Sequence, residues 1–174
     1  MNDRILYLYT VFYAASSRLG AWISGLAAFP IIDMETSSMN GNCLCGAVAF
    51  TSPDTRELSV CHCGFCRKWG GGPLFVVHCG PNVVFTGGGQ VAVYPSSNWA
   101  ERAFCKRCGT HLYYKLLATG EYFVPAGTFG STDFELSSQI YVDKRPGYYE
   151  LANRTPMLTE AQVIEQYGQP GDKP

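Results

Sequence analysis

Two pairs of closely spaced cysteines in this chain have the spacing of metal ligands. One residue separates Cys43 from Cys45, two residues separate Cys105 from Cys108, and a glycine follows each pair. A tight turn closed by glycine places both sulfurs of a pair on one side, where backbone N–H groups can point at them. Two such turns facing each other would make a closed site of four thiolates, as in structural zinc sites. We therefore expect these four cysteines to bind a structural zinc ion.

Three further cysteines lie within six residues, at Cys61, Cys63 and Cys66. Three ligands leave one position of a tetrahedral zinc open to water or substrate, which is typical of a catalytic zinc. His62 lies between two of these ligands, so we expect its ring to point away from the metal and to serve in positioning or packing.

Other uses of this cluster fit the sequence less well. Cys63 and Cys66 have the CxxC spacing of a thiol–disulfide exchanger, but the βαβ context is missing and Cys61 would have no role. The His-x-Glu and Pro-Cys-x-x-Cys patterns of a zinc deaminase are both absent.

Two basic residues, Arg67 and Lys68, directly follow the three-cysteine cluster. Beside a zinc–thiolate centre they would offset negative charge and could bind a carboxylate of the substrate. An ordinary solvated basic pair is the alternative. We expect the eighth cysteine, Cys79, to be a small buried hydrophobe at a strand end, and His111 to pack within a strand.

The cysteine spacing and the charge balance limit the function classes. Neighbouring cysteines gather thiolates around one point, whereas structural disulfides join distant segments, so metal binding is favoured over a disulfide framework. Free thiolates indicate a reducing compartment, most simply the cytoplasm. The net charge is −1 and 16% of residues are charged, so we expect neither nucleic acid nor a membrane surface as a partner.

The elements that must position these residues are mostly short strands. Runs rich in Val, Phe and Tyr, separated by Gly and Pro, predict strands at 47–51, 74–78, 83–86, 91–94, 111–116, 122–125 and 139–142. One short helix is predicted near the C-terminus, where Thr159 and Gln162 form a capping box and Gly168 supplies the stop. The sequence thus predicts a mainly β fold with a single domain over residues 39–170.

Residues 1–38 differ from this domain and are predicted to be an extension outside it. Two uncharged stretches, 5–17 and 19–32, flank Arg18. Each is too short to span a bilayer alone, and joining them would bury the arginine. A signal peptide or a membrane anchor is the alternative, although export would expose the thiolates to oxidation.

The cysteine motifs resemble those of the glutathione-dependent formaldehyde-activating enzyme family, which includes centromere protein V. The likeness runs from about residue 41 to about residue 149 and rests on three motifs in this order: Gly41-Asn42-Cys43-Leu44-Cys45-Gly46-Ala47-Val48, Cys61-His62-Cys63-Gly64-Phe65-Cys66-Arg67-Lys68, and Phe104-Cys105-Lys106-Arg107-Cys108-Gly109-Thr110. The chain departs from the pattern at Tyr141 and Tyr148, where family members often carry Trp.

The resemblance implies a β-tent fold of packed antiparallel sheets and two zinc ions. The structural ligands would be Cys43, Cys45, Cys105 and Cys108, and the ligands of the catalytic zinc would be Cys61, Cys63 and Cys66. It also implies a carbon–sulfur lyase that adds glutathione to formaldehyde, giving S-hydroxymethylglutathione. Two alternatives remain: a non-enzymatic zinc module that binds protein or nucleic acid, and a redox-sensing thiol cluster with labile zinc.

Overall fold

The computed structural model describes residues 37–168. The predicted extension, residues 1–38, lies almost wholly outside these described residues, and so does the predicted end of the domain at residue 170. No helix within the described range is long and apolar enough to cross a membrane.

Strands dominate residues 37–168 and form two sheets. In chain order they are β1 (Ser38–Asn42), β2 (Ala49–Pro53), β3 (Glu57–Cys61), β4 (Leu74–Gly80), β5 (Val84–Thr86), β6 (Val91–Pro95), β7 (Ala100–Cys105), β8 (His111–Leu116), β9 (Tyr122–Pro125), β10 (Glu135–Ile140) and β11 (Met157–Leu158). The smaller sheet has the order β1-β2-β5, and the larger has the order β11-β10-β3-β4-β9-β8-β7-β6. Pairing is antiparallel except that β10 runs parallel to both β3 and β11. The predicted mainly β fold of packed sheets is confirmed.

Two α-helices complete the described part of the chain. Helix α2 (Glu160–Tyr167) is the predicted one, and the Thr159 and Gln162 side chains form the expected capping box at its start. Helix α1 (Gly64–Gly70) was not predicted, because its seven residues are too few to show an apolar periodicity. It ends at Gly71, whose φ of 81° places it in the left-handed conformation that glycine adopts without strain.

One face of the larger sheet packs against the smaller sheet and forms the core. Its buried side chains come from both sheets and from the segments beside them, and include Met39, Val48, Phe50, Val77, Ala103, Leu112, Tyr113, Val124 and Phe129. Cys79 belongs to this core with 3% of its surface exposed, as expected of a small hydrophobe. Phe50 contacts Phe129 edge to face, with ring centroids 5.1 Å apart. Burial of such apolar surface is the main stabilising contribution here.

The other face of the larger sheet carries the chemistry-bearing residues. Directly paired residues share a face, and the registers place a row across neighbouring strands, consisting of Tyr94, Arg102, Tyr114, Phe123 and His78. His78 and Leu74 share this face because side chains alternate along β4, and Leu74 pairs with Cys61. Helix α1 lies over the row, since Trp69 stacks on Tyr94 with ring centroids 6.0 Å apart. The fold therefore brings Cys61, α1 and Arg102 to one side of the sheet.

Candidate metal centres

The four-cysteine cluster is built from two turns with the same hydrogen-bond pattern. In the first, the Cys43 N–H donates to the Val48 carbonyl at 2.9 Å, and in the second the Cys105 N–H donates to the Thr110 carbonyl at 2.9 Å. Both turns contain a glycine in the left-handed region, Gly46 at φ 70° and Gly109 at φ 75°.

The turns bring four sulfurs together although the two pairs are far apart in the chain. All Sγ atoms of Cys43, Cys45, Cys105 and Cys108 lie within 4.8 Å of one another. The hydroxyl of Thr110 links the turns further, because it accepts from the Leu44 N–H at 3.1 Å and lies 3.2 Å from the Cys108 Sγ. Hydrogen bonds from the Thr110 hydroxyl and backbone lower the pKa of Cys108 to about 5, which favours its thiolate form.

The sulfur spacing of this cluster fits a tetrahedral zinc ion. Zn–S bonds of about 2.3 Å at the tetrahedral angle require sulfurs about 3.8 Å apart. The Cys43–Cys45 Sγ distance is 3.6 Å and the Cys45–Cys105 Sγ distance is 3.8 Å. Disulfide bonding would need about 2.05 Å. The four residues can therefore hold a metal ion, and their donor set is one that zinc prefers.

The three-cysteine cluster lies where β3 passes into α1. Cys61 is the last residue of β3, Cys63 is the N-cap of α1, and Cys66 lies in its first turn. Their Sγ atoms also lie within 4.8 Å of one another, and the Cys66 N–H donates to the Cys63 Sγ at 3.4 Å. Within residues 37–168 no histidine, carboxylate or further cysteine joins this group.

Three sulfurs this close cannot all ionise unless a cation balances them. Hydrogen bonds from the Cys61 and Cys66 side chains hold the pKa of Cys63 well below its ordinary value. The pKa of Cys61 rises well above its ordinary value, mainly because of its interactions with Cys63 and Cys66 and also because of burial. A divalent cation would allow all three thiolates to form together, and a zinc ion held by three residues keeps one position for another ligand.

His62 is fully buried, and both of its ring nitrogens are occupied. Gln139 Nε2 donates to the Thr155 Oγ1 at 3.2 Å, so the Oε1 of Gln139 faces His62 and accepts a hydrogen bond from the His62 Nε2–H at 3.1 Å. The Nδ1 of His62 then accepts from the Tyr149 hydroxyl at 2.7 Å. Burial also lowers the pKa of His62, which favours the neutral ring. His62 thus braces the cysteine loop and has no free nitrogen for a metal.

Arg102 is a buried cation beside the three-cysteine cluster that sequence reasoning missed. Its side chain is 5% exposed, and its Nη2 lies 3.6 Å from the Cys66 Sγ. In the sequence alone, a charged residue such as Arg102 is expected at the surface. Only the strand register shows that its side chain faces α1. Glu101 and Arg102 lie on opposite faces of β7 because side chains alternate along a strand, and no local sequence pattern shows which of the two is buried.

The basic residues nominated from the sequence are placed differently. Arg67 is half-buried, and its Nε donates to the His62 carbonyl at 3.0 Å. Lys68 is exposed and forms no ion pair with the residues that the structure describes. Arg67 is therefore tied to the cysteine loop, and the role of both in substrate binding stays a prediction.

Tyr141 and His111 lie near the same centre. Tyr141 directly follows β10 and has a φ of 57°, which is strained for a residue with a bulky side chain. Burial and the nearby Cys61 and Cys63 charges raise its pKa to about 12. His111 stacks on Trp69 at a centroid distance of 4.7 Å, in line with the expected packing role.

One groove on the described surface lies away from the three-cysteine cluster. A groove of about 440 Å³ runs over the smaller sheet, from Asn40 on β1 to Thr86 on β5. Its lining contains no titratable side chain, so we assign no catalytic role to it.

Comparison with known proteins agrees with the motif resemblance. Residues 38–144 match the family model described as glutathione-dependent formaldehyde-activating enzyme. A Schizosaccharomyces pombe protein whose name is "uncharacterized lyase" is 36% identical over 128 residues, covering 72% of this chain and 93% of the yeast protein. A solved structure of a Rhodobacter sphaeroides protein, 23% identical, covers 54% of this chain and 90% of that chain with a TM-score of 0.47. The chain belongs to the glutathione-dependent formaldehyde-activating enzyme family.

Proposed function

We propose that this protein is a zinc-dependent carbon–sulfur lyase that joins glutathione to formaldehyde or acts on a related thiol–aldehyde adduct. The observation that carries the proposal is the group of three sulfurs within 4.8 Å of one another, with no fourth protein donor among the described residues. The family match and the lyase name of the yeast relative support the same class.

We assign the two clusters different roles. Cys43, Cys45, Cys105 and Cys108 would bind a structural zinc, and Cys61, Cys63 and Cys66 would bind the working zinc. When bound at the open centre, zinc supplies positive charge that lowers the pKa of a thiol or polarises a carbonyl oxygen.

The reaction forms one carbon–sulfur bond. The glutathione sulfur attacks the carbonyl carbon of formaldehyde, the π electron pair moves to the oxygen, and that oxygen takes up a proton equivalent to the one the thiol loses. His62 does not carry this proton, because both of its ring nitrogens are already hydrogen-bonded. Arg67 and Lys68 remain candidates for binding the carboxylates of glutathione, and Tyr141 is a candidate for the wall of the substrate pocket.

The cellular setting follows from the chemistry. Glutathione and thiolate ligands both require a reducing compartment, so we propose a cytoplasmic protein. We also propose that the working domain spans residues 39–170 and that residues 1–38 lie outside it. The net charge of −1 gives no reason to expect nucleic acid as a partner.

The test is the rate of adduct formation at equilibrium, measured by exchange NMR with glutathione and formaldehyde. The zinc-loaded full chain should accelerate the exchange over the uncatalysed reaction, and so should the matched variant Cys79→Ala, which changes a cysteine of the core. Cys63→Ser should abolish the acceleration. Equal rates for wild type and Cys63→Ser would contradict the proposal.

A further inference from the structure

The buried side chain of Arg102 lies between aromatic rings and has no carboxylate partner among the described residues. It lies on β7 between β6 and β8, and its guanidinium carbon is 4.8 Å from the ring centroid of Tyr114 and 5.9 Å from that of Trp69. No carboxylate lies within 4.0 Å of it among residues 37–168. Burying a guanidinium without a counter-ion is costly, so the negative charge that balances Arg102 must come from a group other than a carboxylate of these residues.

The sulfur cluster supplies part of that negative charge. The Nη2 of Arg102 donates to the Cys66 Sγ at 3.6 Å, and this is its one side-chain hydrogen bond within the described residues. Guanidinium carries five N–H donors, so others are left over. Ser97 Oγ is the one fully enclosed side-chain N or O atom without a partner in this part of the chain. The unpartnered nitrogens of Arg102 are therefore not fully enclosed by protein.

We propose that Arg102 recognises the sulfur anion of the thiol substrate at the three-cysteine centre. The inference rests on the proposed function and names the substrate group that the open position selects. Three thiolates and one divalent zinc sum to a charge of −1, and a fourth, incoming thiolate would make it −2. The positive charge of Arg102 restores −1, which makes binding of an anionic sulfur favourable in a site largely shielded from water. Arg102 is assigned as a binding residue because its Nη2 lies 3.6 Å from the Sγ of Cys66, one of the three sulfurs around the open position.

Thiol binding to the zinc-loaded full chain tests this directly. Isothermal titration calorimetry would compare glutathione with S-methylglutathione, which keeps both carboxylates but cannot form a thiolate. Arg102→Met removes the charge and should weaken glutathione binding by about 10- to 100-fold, the loss expected when a hydrogen bond between charged groups is removed. Binding of S-methylglutathione should not change.

Two further variants separate charge from packing. Arg102→Lys keeps the charge and should retain the preference for glutathione over S-methylglutathione, even if Arg102→Met fails to fold or to hold zinc. Lys115→Met removes a cation from the opposite face of the same sheet, where Lys115 lies 4.9 Å from the Tyr122 ring centroid, and should leave both affinities unchanged.

Several results would overturn the inference. The first is an Arg102→Met variant in which the affinities for glutathione and S-methylglutathione fall by the same factor, and the second is a zinc-loaded Arg102→Lys variant that no longer prefers glutathione. The third is a Lys115→Met variant that weakens glutathione binding as much as Arg102→Met does, and the fourth is a wild-type protein that does not bind glutathione. Wild type that prefers glutathione through Arg102 but does not accelerate adduct formation would contradict the lyase proposal alone. Unchanged adduct formation and glutathione affinity in Arg102→Met would contradict the role of Arg102 alone.

Discussion

The hydroxyl of Tyr149 lies 2.7 Å from the Nδ1 of His62 and joins the segment after β10 to the loop that holds Cys61 and Cys63. The opposite ring nitrogen bonds Gln139, which in turn bonds Thr155. The two rings of His62 and Tyr149 also stack, with centroids 5.6 Å apart. This chain of contacts fixes the three-cysteine loop against β10 and the C-terminal segment.

Removing the centre of that network should destabilise the fold. Gln139→Ala leaves the buried Nε2–H of His62 without an acceptor, and such a loss costs about 1–3 kcal/mol of the free energy of unfolding. Urea denaturation of the zinc-loaded protein measures it. Ser137→Ala on the same strand is the control, because Ser137 is half-buried and bonds a backbone carbonyl outside the network. A Gln139→Ala variant as stable as Ser137→Ala would mean that the network does not hold the loop.

We predict that Gly87, beside the first cysteine turn, cannot carry a side chain without loss of stability. Gly87 has a φ of 74°, and a Cβ there would collide with the Ala47 carbonyl oxygen. We expect Gly87→Ala to cost at least about 1–3 kcal/mol, because strain and collision add. Gly88→Ala is the matched control, since a Cβ at Gly88 meets open space. Equal midpoints of urea unfolding for the two variants would contradict this close approach.

Substitution of a cysteine in the four-cysteine cluster should cost much more stability than substitution of the core residue Cys79. Cys105→Ser removes a buried sulfur of the four-cysteine cluster, and we expect it to unfold or aggregate, because a structural zinc contributes on the order of 10 kcal/mol. Cys79→Ala removes only a buried thiol and should cost about 1 kcal/mol. Circular dichroism during heating compares them. Similar melting of the two variants would remove the distinction.

The open centre should lose its metal first. A chelator is expected to remove zinc in two phases, a fast one from the three-cysteine cluster and a slow one from the four-cysteine cluster, whose four thiolates leave no ligand position open. Saturating glutathione should slow only the fast phase, because a bound thiolate completes the ligand set. A chromogenic chelator reports both rates. If glutathione left the fast phase unchanged, the thiol would not be a ligand at this centre, and a labile thiol cluster would describe it better.

The sequence predicts the clusters well because ligand spacing is a local property. Each pair or triplet of cysteines lies within a few residues, so the chain itself brings those sulfurs together, whereas the meeting of the two pairs depends on the fold. Strands such as His111–Leu116 and Tyr122–Pro125 have the same bounds as predicted, because apolar β-formers fill them between clear turns.

The elements that were missed depend on distant partners. β1 contains Asn and Gly, and Gly41 is required there because a side chain would collide with Phe50 and the Thr128 carbonyl oxygen. β7 contains Glu101 and Arg102, and the arginine is buried only because α1 and Tyr114 cover it. The strand predicted at 139–142 instead occupies Glu135–Ile140, since the left-handed Tyr141 ends it. None of these contacts is visible in a local sequence pattern.

Zinc per chain, measured by elemental analysis on protein purified without chelator, tests the two-centre account most directly. We predict two zinc ions for wild type and one for Cys63→Ser, which should stay folded because its four-cysteine cluster is intact. One zinc in wild type, with the same content in Cys63→Ser, would contradict an occupied open centre and would favour a non-enzymatic zinc module.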